Sequence, residues 1–240
     1  MSFRWSFSQW EAYNTCPRKW HYASVLKLPR KPSGPAAARG TEMHDRVETY
    51  IHGGIDEDTM VFGDTTLRFG AKKPAVVNRK FVPMLMGFRD HPNGEKYTEL
   101  KLGFDSEWHL TGSIVGSTPT WVIAILDAAK SKDGVVDIGE WKSGEPKPTH
   151  KNQRELYALA GLRRWMGCEE VRVTTYYLED TAPPARLTVK PTAEEKLKDL
   201  WRGRVEEMTS DKLCSPRPGD YCRWMCDFAK SKGGPCEFGA

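Results

Sequence analysis

The stretch that decides the fold is residues 121–142, WVIAILDAAKSKDGVVDIGEWK. Its two ends, residues 121–126 and 135–142, are rich in apolar residues and predict two β-strands. Between them stand Asp133 and Gly134, a pair that favours a two-residue hairpin turn because both turn positions need a positive φ. The sequence therefore predicts an antiparallel hairpin here.

The register of this hairpin would bring two acids together. If Lys132 pairs with Val135, Asp127 lies directly opposite Glu140, with the two Cβ atoms roughly 5 Å apart, and such like charges destabilise a strand pair. A cation between the two carboxylates would remove this penalty. Lys142 follows Glu140 by two residues and so lies on the same face of the strand.

Two carboxylates and an ammonium group on one patch predict a metal site beside a basic group. Oxygen ligands of this kind suit Mg²⁺ or Mn²⁺, hard ions that a hydrolase uses to activate water and to neutralise a phosphate. A solvated hairpin with ordinary surface charges is the open alternative. The register also matters, because a four-residue turn would place Asp127 opposite Ile138.

A further candidate ligand lies on a predicted helix, residues 41–51, which glycines 53–54 would end. His44 shares one face of this helix with Val47 and so points inward. A histidine there is either a structural residue of the core or a metal ligand. His52, beside the terminating glycines, is expected to matter little.

The remaining elements predict an α/β sandwich with a mixed sheet. Residues 99–104 predict a strand before the hairpin, residues 150–166 a helix after it, and residues 171–178 a strand that joins the sheet after the helix crosses over. Gln153 and Tyr157 are four residues apart and lie on one helix face. They either hold a phosphate backbone or simply pack.

Size and composition indicate an ordinary globular protein. The chain has 240 residues, of which 39% are hydrophobic and 28% charged, which is enough for one good core. No apolar run approaches the ~18 residues of a membrane span, and the N-terminus lacks the apolar core of a signal peptide. We therefore expect no membrane span and a cytoplasmic location.

The N-terminal segment is the basic end of the chain. The net charge is only +4, but residues 1–40 hold seven Lys or Arg against one acid. Aromatic residues are interleaved with these charges, a combination found on surfaces that bind single-stranded or frayed nucleic acid. Burial in the core is the favoured interpretation for most of them. The aromatic residues are Trp5, Trp10, Tyr13, Trp20 and Tyr22.

Four of the six cysteines are crowded between residues 214 and 236. In a reducing compartment such a cluster favours metal over a disulfide framework. Cys168 stands apart and is predicted to be a buried thiol. Cys16 precedes Pro17 at the expected junction of two short helices, the first of which would begin with a capping box on Ser8.

The order of these motifs resembles that of the PD-(D/E)XK nucleases, in particular their RecB-like branch. Residues 6–20 resemble the opening motif of that branch, residues 39–44 its histidine motif, and residues 97–101 the strand before the metal hairpin. The resemblance spans nearly the whole chain and rests on the order of motifs. One departure is Ala124, where the family usually has glycine three residues before the metal aspartate.

The resemblance implies a restriction-endonuclease-like core, a mixed sheet flanked by helices, and roles for individual residues. It implies that Asp127, Glu140 and Lys142 are catalytic, that His44, Asp127 and Glu140 hold Mg²⁺ or Mn²⁺, and that Gln153 and Tyr157 bind DNA. Glu99 is a weaker candidate, either a second-layer acid behind the metal ligands or a DNA-proximal one.

The resemblance extends to the cysteines. Cys16, Cys222, Cys226 and Cys236 are similar to the ligands of the iron–sulfur clasp in the Cas-four exonucleases and the AddB nuclease domain, which implies a 4Fe-4S cluster tying the N- and C-terminal segments together. The spacing departs from the usual pattern, because three residues, not two, separate Cys222 from Cys226. Cys214 as a replacement ligand, and Zn²⁺ in place of iron, stay open.

Together these features predict a Mg²⁺- or Mn²⁺-dependent DNA exonuclease of the RecB-like, Cas-four type. We expect a single nuclease domain over residues 1–240, with a basic segment 1–38, a core 39–190 containing an insertion or substrate flap at 55–96, and a C-terminal helix with a cysteine-rich tail at 191–240. The expected substrate is DNA with single-stranded or frayed ends, in recombination, repair, phage replication or CRISPR adaptation. A non-catalytic DNA-binding scaffold subunit and a zinc-binding nucleic-acid module are the alternatives; protein partners and oligomeric state are left open.

Overall fold

The computed structural model describes residues 3–30, 34–63, 76–92, 95–111, 119–180 and 182–238. The chain divides into two compact units. One unit is Ser33–Leu197, and the other combines Phe3–Pro32 with Lys198–Ala240. The assignment of residues 1–240 to one nuclease domain, with the internal boundaries given above, stays a prediction.

Helices dominate the described residues before Lys96, and most strands follow between Lys96 and Val189. The helices are α1 (Phe7–Thr15), α2 (Pro17–Trp20), α3 (Pro35–Ile51), α4 (Glu57–Phe62), α5 (Val82–Arg89), α6 (Thr149–Arg164), α7 (Glu194–Ser210) and α8 (Asp220–Trp224). The strands are β1 (Trp5–Ser6), β2 (Lys96–Phe104), β3 (Leu110–Thr111), β4 (Val122–Lys132), β5 (Val135–Lys142), β6 (Glu170–Tyr177) and β7 (Ala185–Val189). No helix within the described ranges is long and apolar enough to cross a membrane.

The sheet of the Ser33–Leu197 unit has the strand order β3-β2-β4-β5-β6-β7. Neighbouring strands are antiparallel except β5 and β6, which are parallel. A parallel pair needs a crossover, and α6 provides it. The predicted α/β fold with a mixed sheet is therefore confirmed.

Helices cover both faces of this sheet. On one face Ile138 of β5 approaches Gly161 of α6, so closely that a Cβ at Gly161 would lie 3.0 Å from the Ile138 side chain. On the other face the next residue, Gly139, faces α5, where an added Cβ would lie 3.1 Å from the ring of Phe88. Successive strand residues point to opposite faces, so α5 and α6 sandwich β5 between them.

The hairpin has the predicted register and turn. Lys132 pairs with Val135, and the ladder continues without a break to Ala128 and Gly139. Asp133 and Gly134 both have positive φ, of 50° and 77°, as a turn of this length requires. The ladder between β4 and β5 ends at this pair and does not include the predicted pairing of Asp127 with Glu140, while β5 continues to pair with β6.

Helix α3 is longer than predicted. The segment from Pro29 to Ala38, rich in Pro, Gly and Ala, suggests a linker, but the helix already begins at Pro35. Pro at the first helical position is accepted because its missing N–H has no partner there anyway. The predicted end is correct, since the helix stops at Ile51 and Gly53 has a φ of 78°.

Buried side chains of α3, α4 and α5 form one apolar cluster with Trp141 of β5 and Tyr176 of β6. This cluster fixes α3 against the sheet, because a well-packed core tolerates little movement. Two of these helices, α4 and α5, come from residues 55–96, the segment predicted to be an insertion or flap. The part of that segment from 64 to 75 lies outside the described residues.

The second unit contains the N-terminal aromatic residues, and most of them are core, as favoured. Trp5, Trp10, Tyr13 and Trp20 are all no more than 6% exposed, and Trp201 of α7 stacks on Trp5 and meets Trp10 edge-on. Tyr22 is half-buried.

One local prediction for the terminal segments fails, one holds in most part and one holds fully. Helix α1 begins at Phe7, so Ser8 lies inside the helix and the predicted capping box is wrong. The sequence also predicts an amphipathic helix near the C-terminus whose apolar face is core, and this face is buried except at Leu200, which is 36% exposed; its residues are Leu197, Leu200, Trp201, Val205 and Met208. Cys16 does lie in an extended conformation between α1 and α2, as Pro17 predicted.

Candidate metal centre

The site lies in the Ser33–Leu197 unit, where the middle of the hairpin meets α3, β2 and α6. Strands β4 and β5 carry Asp127, Glu140 and Lys142; α3 carries His44, β2 carries Glu99, and α6 carries Gln153 and Tyr157. Asp127, Glu140 and Lys142 were predicted from the hairpin itself, and the family resemblance added roles for the others. The structure brings them together on one region of the sheet.

Asp127 lies where the pairing between β4 and β5 ends, and its side chain accepts a hydrogen bond from the backbone of β5. Its Oδ2 accepts the backbone N–H of Trp141 at 2.7 Å, and its carboxylate is 8% exposed. Its Oδ1 lies 3.5 Å from Nδ1 of His44. A hydrogen bond to a buried backbone donor fixes the carboxylate, so Oδ1 has a defined direction.

His44 is held at both ring nitrogens. Nδ1 faces Asp127, and Nε2 lies 3.0 Å from the carbonyl oxygen of Trp141. Burial lowers the pKa of His44, but the hydrogen bond and charge of Asp127, with the charge of Glu140, outweigh it and raise the pKa to about 9. The proton therefore neutralises negative charge that a divalent ion would also neutralise.

Glu99 lies opposite Asp127 across β2 and β4. Its neighbours pair regularly, Thr98 with Ala128 and Leu100 with Leu126, whereas Glu99 itself has a positive φ of 46°. Burial, and then the charge of Asp127, raise the pKa of Glu99. The carboxyl group of Glu99 is therefore partly buried beside the negative charge of Asp127.

His44, Glu99 and Asp127 form the tightest group of potential metal ligands. One donor atom from each lies within 4.8 Å of the other two. The sequence indicated Glu99 only as a weaker candidate. The signal that could have promoted it is the register between β2 and β4, which the sequence does not reveal because no short turn joins these strands.

Glu140 is the most buried acid of the site, at 3% exposure. Its Oε1 accepts from Lys142 Nζ at 2.6 Å and from Gln153 Nε2 at 2.7 Å. Its Oε2 is buried and has no hydrogen-bond partner among the described residues. An unpaired buried carboxylate oxygen is unfavourable unless something else binds it, so this donor set fits a metal ion.

The negative charge of Glu140 is only partly offset by its neighbours. Burial, followed by the charge of Asp127, raises the pKa of Glu140, and Lys142 opposes this shift. Hard, oxygen-preferring divalent ions match a cluster of acids of this kind. The Lys142 side chain is 26% exposed, so the ammonium group lies at the edge of the site and not inside it.

Gln153 and Tyr157 lie behind Glu140 and are each 6% exposed. The Gln153 amide donates to Glu140 and also to the Tyr157 hydroxyl oxygen at 3.0 Å, and its own Oε1 is buried without a hydrogen-bond partner among the described residues. Burial, then the charges of Glu140 and Asp127, raise the pKa of Tyr157 well above its usual value. Its hydroxyl stays protonated and can donate. DNA binding by this pair stays a prediction.

Five of the six cysteines lie in the other unit. Cys16, Cys222, Cys226 and Cys236 are buried and line one pocket. Cys214 is also buried but does not line that pocket, and its thiol donates to the carbonyl oxygen of Asp211. The predicted four-cysteine set is thus brought together, while Cys168 is only partly buried.

The sulfurs of this pocket receive backbone hydrogen bonds. The N–H of Arg217 donates to Cys16 Sγ at 3.5 Å. Burial raises the pKa of the Cys226 thiol, opposed by a backbone hydrogen bond at Phe228 and by the charge of Lys19. No three cysteine sulfurs, all of which lie in the described part of the chain, come within 4.8 Å of one another.

Comparison with known proteins identifies the family. A family model described as the PD-(D/E)XK nuclease superfamily matches residues 4–231. A search of curated proteins found no match. Similar solved structures include a crystal structure of SSO0001, 15% identical, covering 100% of this chain and 89% of that one with a TM-score of 0.47. Another is LHK-Exo in complex with dAMP, 14% identical, covering 86% and 88% with a TM-score of 0.38.

The family model spans both the metal-site residues and the terminal segments. Members of this superfamily act on nucleic acid and usually use divalent metals, which agrees with the acidic cluster around Asp127. From the match over residues 4–231, the chain belongs to the PD-(D/E)XK nuclease superfamily.

Proposed function

We propose that this chain is a Mg²⁺- or Mn²⁺-dependent DNA exonuclease of the RecB-like, Cas-four type. The observation that carries the proposal is the convergence of His44, Glu99 and Asp127 within 4.8 Å, beside the Glu140–Lys142 pair. A superfamily nuclease with this set of groups has what phosphodiester hydrolysis requires, namely metal ligands and a nearby cation.

The ion would be held by His44, Asp127 and Glu140, and we add Glu99 as a further ligand. When bound, Mg²⁺ or Mn²⁺ would lower the pKa of a water molecule and offset charge on the phosphate. The unpaired Oε2 of Glu140 and the mutual proximity of the other three groups support this ligand set.

Lys142 has the second chemical role. Glu140 holds its ammonium group by a short hydrogen bond, and the partly exposed side chain reaches the edge of the site. A fixed positive charge there can orient the attacking water and stabilise the charge that develops on the phosphate.

Gln153 and Tyr157 would act from behind Glu140. Gln153 orients Glu140 through its amide and also donates to the Tyr157 hydroxyl, which retains its own proton as a donor. Their side chains thus connect the metal ligand to the strand of DNA that we expect to bind.

We further propose that Cys16, Cys222, Cys226 and Cys236 bind a 4Fe-4S cluster. The four cysteines line one pocket, and they are the set that the family resemblance implies for such a cluster. Zn²⁺ bound by the same thiolates is the alternative. The backbone N–H donors at Cys16 and Cys226 support a thiolate site as well.

The preference for single-stranded or frayed ends has weaker support. It came from the aromatic residues of the basic N-terminal segment, and four of those five rings are buried. The substrate class DNA, the biological pathway and the cytoplasmic location rest on the family resemblance.

The test is to incubate purified protein with Mn²⁺ and two substrates, a linear end-labelled duplex and the same DNA as a closed circle. We expect loss of the linear DNA from its ends, an intact circle, and no reaction with chelator or with Asp127→Asn. Asp137→Asn, a strand aspartate outside the site, is the matched control. Cutting of the circle would make the protein an endonuclease, and binding without cleavage would favour the scaffold alternative.

A further inference from the structure

The backbone at Glu99 departs from the strand around it. The residues on either side pair with β4 in register, but Glu99 has a φ of 46°. A residue with a Cβ rarely adopts this left-handed conformation, and it persists only where neighbouring contacts determine it. Something adjacent to Glu99 must therefore hold it.

The preceding residue, Thr98, is held by Glu48 of α3 and by His52, the residue that directly follows this helix. Its hydroxyl donates to Oε1 of Glu48 at 3.0 Å and lies 2.7 Å from Nε2 of His52. A hydroxyl has one proton to donate and lone pairs to accept, so donation to Glu48 leaves His52 to donate to Thr98.

These two residues share a stripe of α3 with His44. Positions 44, 48 and 52 are four residues apart, so their side chains follow one another along one side of the helix. The same stripe therefore presents the ligand His44 and holds the residue before Glu99. Sequence alone gave His52 no role.

We propose that Thr98, anchored by Glu48 and His52, is a positioning residue that sets the left-handed backbone of Glu99 and so aims its carboxylate at the metal. This inference rests on the proposed function, since it needs a metal bound at His44, Glu99 and Asp127. Contacts of this kind behind a ligand typically change metal affinity by 10–100-fold.

The experiment measures Mn²⁺ affinity of the full chain by isothermal titration calorimetry. Thr98→Val keeps the shape but removes the hydroxyl, and we expect a loss of affinity of about 10-fold. Thr98→Ser keeps the hydroxyl and should restore most of the affinity. Thr188→Val, at an exposed strand position of β7, is the matched control and should bind like the parent.

A double-mutant cycle separates positioning from general damage. In a Glu99→Gln background, Thr98→Val should cause little further loss of Mn²⁺ affinity, because its effect acts through the Glu99 carboxylate. If Thr98→Val does not fold, His52→Ala, at an exposed side chain, takes its place with a smaller expected loss of several-fold.

Equal Mn²⁺ affinity for the parent and for Thr98→Val or His52→Ala would overturn the inference, as would a full additional loss in the Glu99→Gln background. Parent protein that binds Mn²⁺ and cleaves DNA in those same assays would leave the proposed function standing. Parent protein that neither binds Mn²⁺ nor cleaves DNA would instead remove the proposed function, and this inference with it.

Discussion

The carboxylates of the metal centre lie on strands of one sheet, whereas three of the four cysteines of the pocket lie outside the helices, and only Cys222 lies within one, the short α8. Asp127 and Glu140 are placed by the register of the hairpin and are bonded to backbone or side-chain donors. Cys16 lies between two helices, Cys226 follows a short helix, and Cys236 forms an isolated bridge. The first site can form before its ion binds, while the second joins chain ends that are distant in sequence. Removing the cofactor should therefore affect activity in one case and local folding in the other.

The largest expected effect separates two roles within the metal centre. Replacing Lys142 with Met should lower the cleavage rate by at least ~100-fold, the scale of losing a fixed charge-stabilising group, yet leave Mn²⁺ binding in place. Asp127→Asn should lose both. Rates on end-labelled DNA and Mn²⁺ calorimetry measure the two properties.

Lys132→Met, at the far end of β4, is the matched control for the lysine substitution and should cleave at the parent rate. A Lys142→Met protein that cleaves normally would show that the ammonium group does not act in the reaction.

The next effect concerns the cysteine pocket. Cys16→Ser should remove most of the bound iron and loosen the N-terminal and C-terminal segments together, because the cluster would no longer join them. Anaerobic purification, a visible spectrum, metal analysis and limited proteolysis measure this.

Cys168→Ser, in the other unit, should leave both the spectrum and the proteolysis pattern unchanged. Zinc in place of iron would show that the cofactor is a zinc ion and not an iron–sulfur cluster. A colourless, metal-free, folded protein with full activity would show that these cysteines bind no cofactor.

A smaller effect concerns the stability of the unit that holds the metal centre. His150 is buried, stacks on Tyr177 and accepts the backbone N–H of Lys147. Burial, then the positive charges of Lys142, Lys147 and Arg154, lower the pKa of His150 from 6.5 to about 4. Between these two pH values His150 is therefore neutral in the folded protein but protonated in the unfolded chain.

Above pH 6.5 the neutral His150 side chain therefore contributes up to about 3 kcal/mol to the free energy of unfolding. This contribution is lost as the pH falls from 6.5 towards 4. Urea unfolding of parent and His150→Gln proteins at several pH values checks this. The free-energy difference between them should shrink as the pH falls through that window. A difference that is constant with pH would mean that His150 does not resist protonation.

The smallest effect concerns the carboxylates without metal. Glu99→Gln removes a negative charge held opposite Asp127, so it should stabilise the metal-free protein by up to ~1 kcal/mol while weakening Mn²⁺ binding. Thermal unfolding in chelator, with Glu145→Gln at an exposed position as the control, measures the gain. Lower stability of the Glu99→Gln protein in chelator would contradict the account of charge repulsion.

The parts of the fold that were predictable are those set by local rules. The Asp133-Gly134 turn fixed the hairpin register, and the glycines after Ile51 gave the end of α3, because both depend on backbone conformations that few residues adopt. The start of α3 is not predicted, because the Pro, Gly and Ala content of residues 29–38 indicates a linker, whereas Pro35 begins the helix.

The features that the sequence does not predict depend on contacts between segments that are distant along the chain. Strand β7 is short and follows two prolines, so only its pairing with β6 identifies it. Glu99 could not be placed opposite Asp127 because a long connection separates β2 from β4, and its left-handed backbone contradicts the usual preference of a glutamate. Such local exceptions are expected where a site imposes its own geometry.

The most direct test is anomalous diffraction from crystals of the full chain grown with Mn²⁺. We expect one anomalous peak bonded by His44, Asp127, Glu140 and Glu99, with Lys142 beside it. A protein preparation that cleaves DNA, but whose crystals show no peak at this cluster or show it only elsewhere, would contradict the assignment of this cluster as the metal centre.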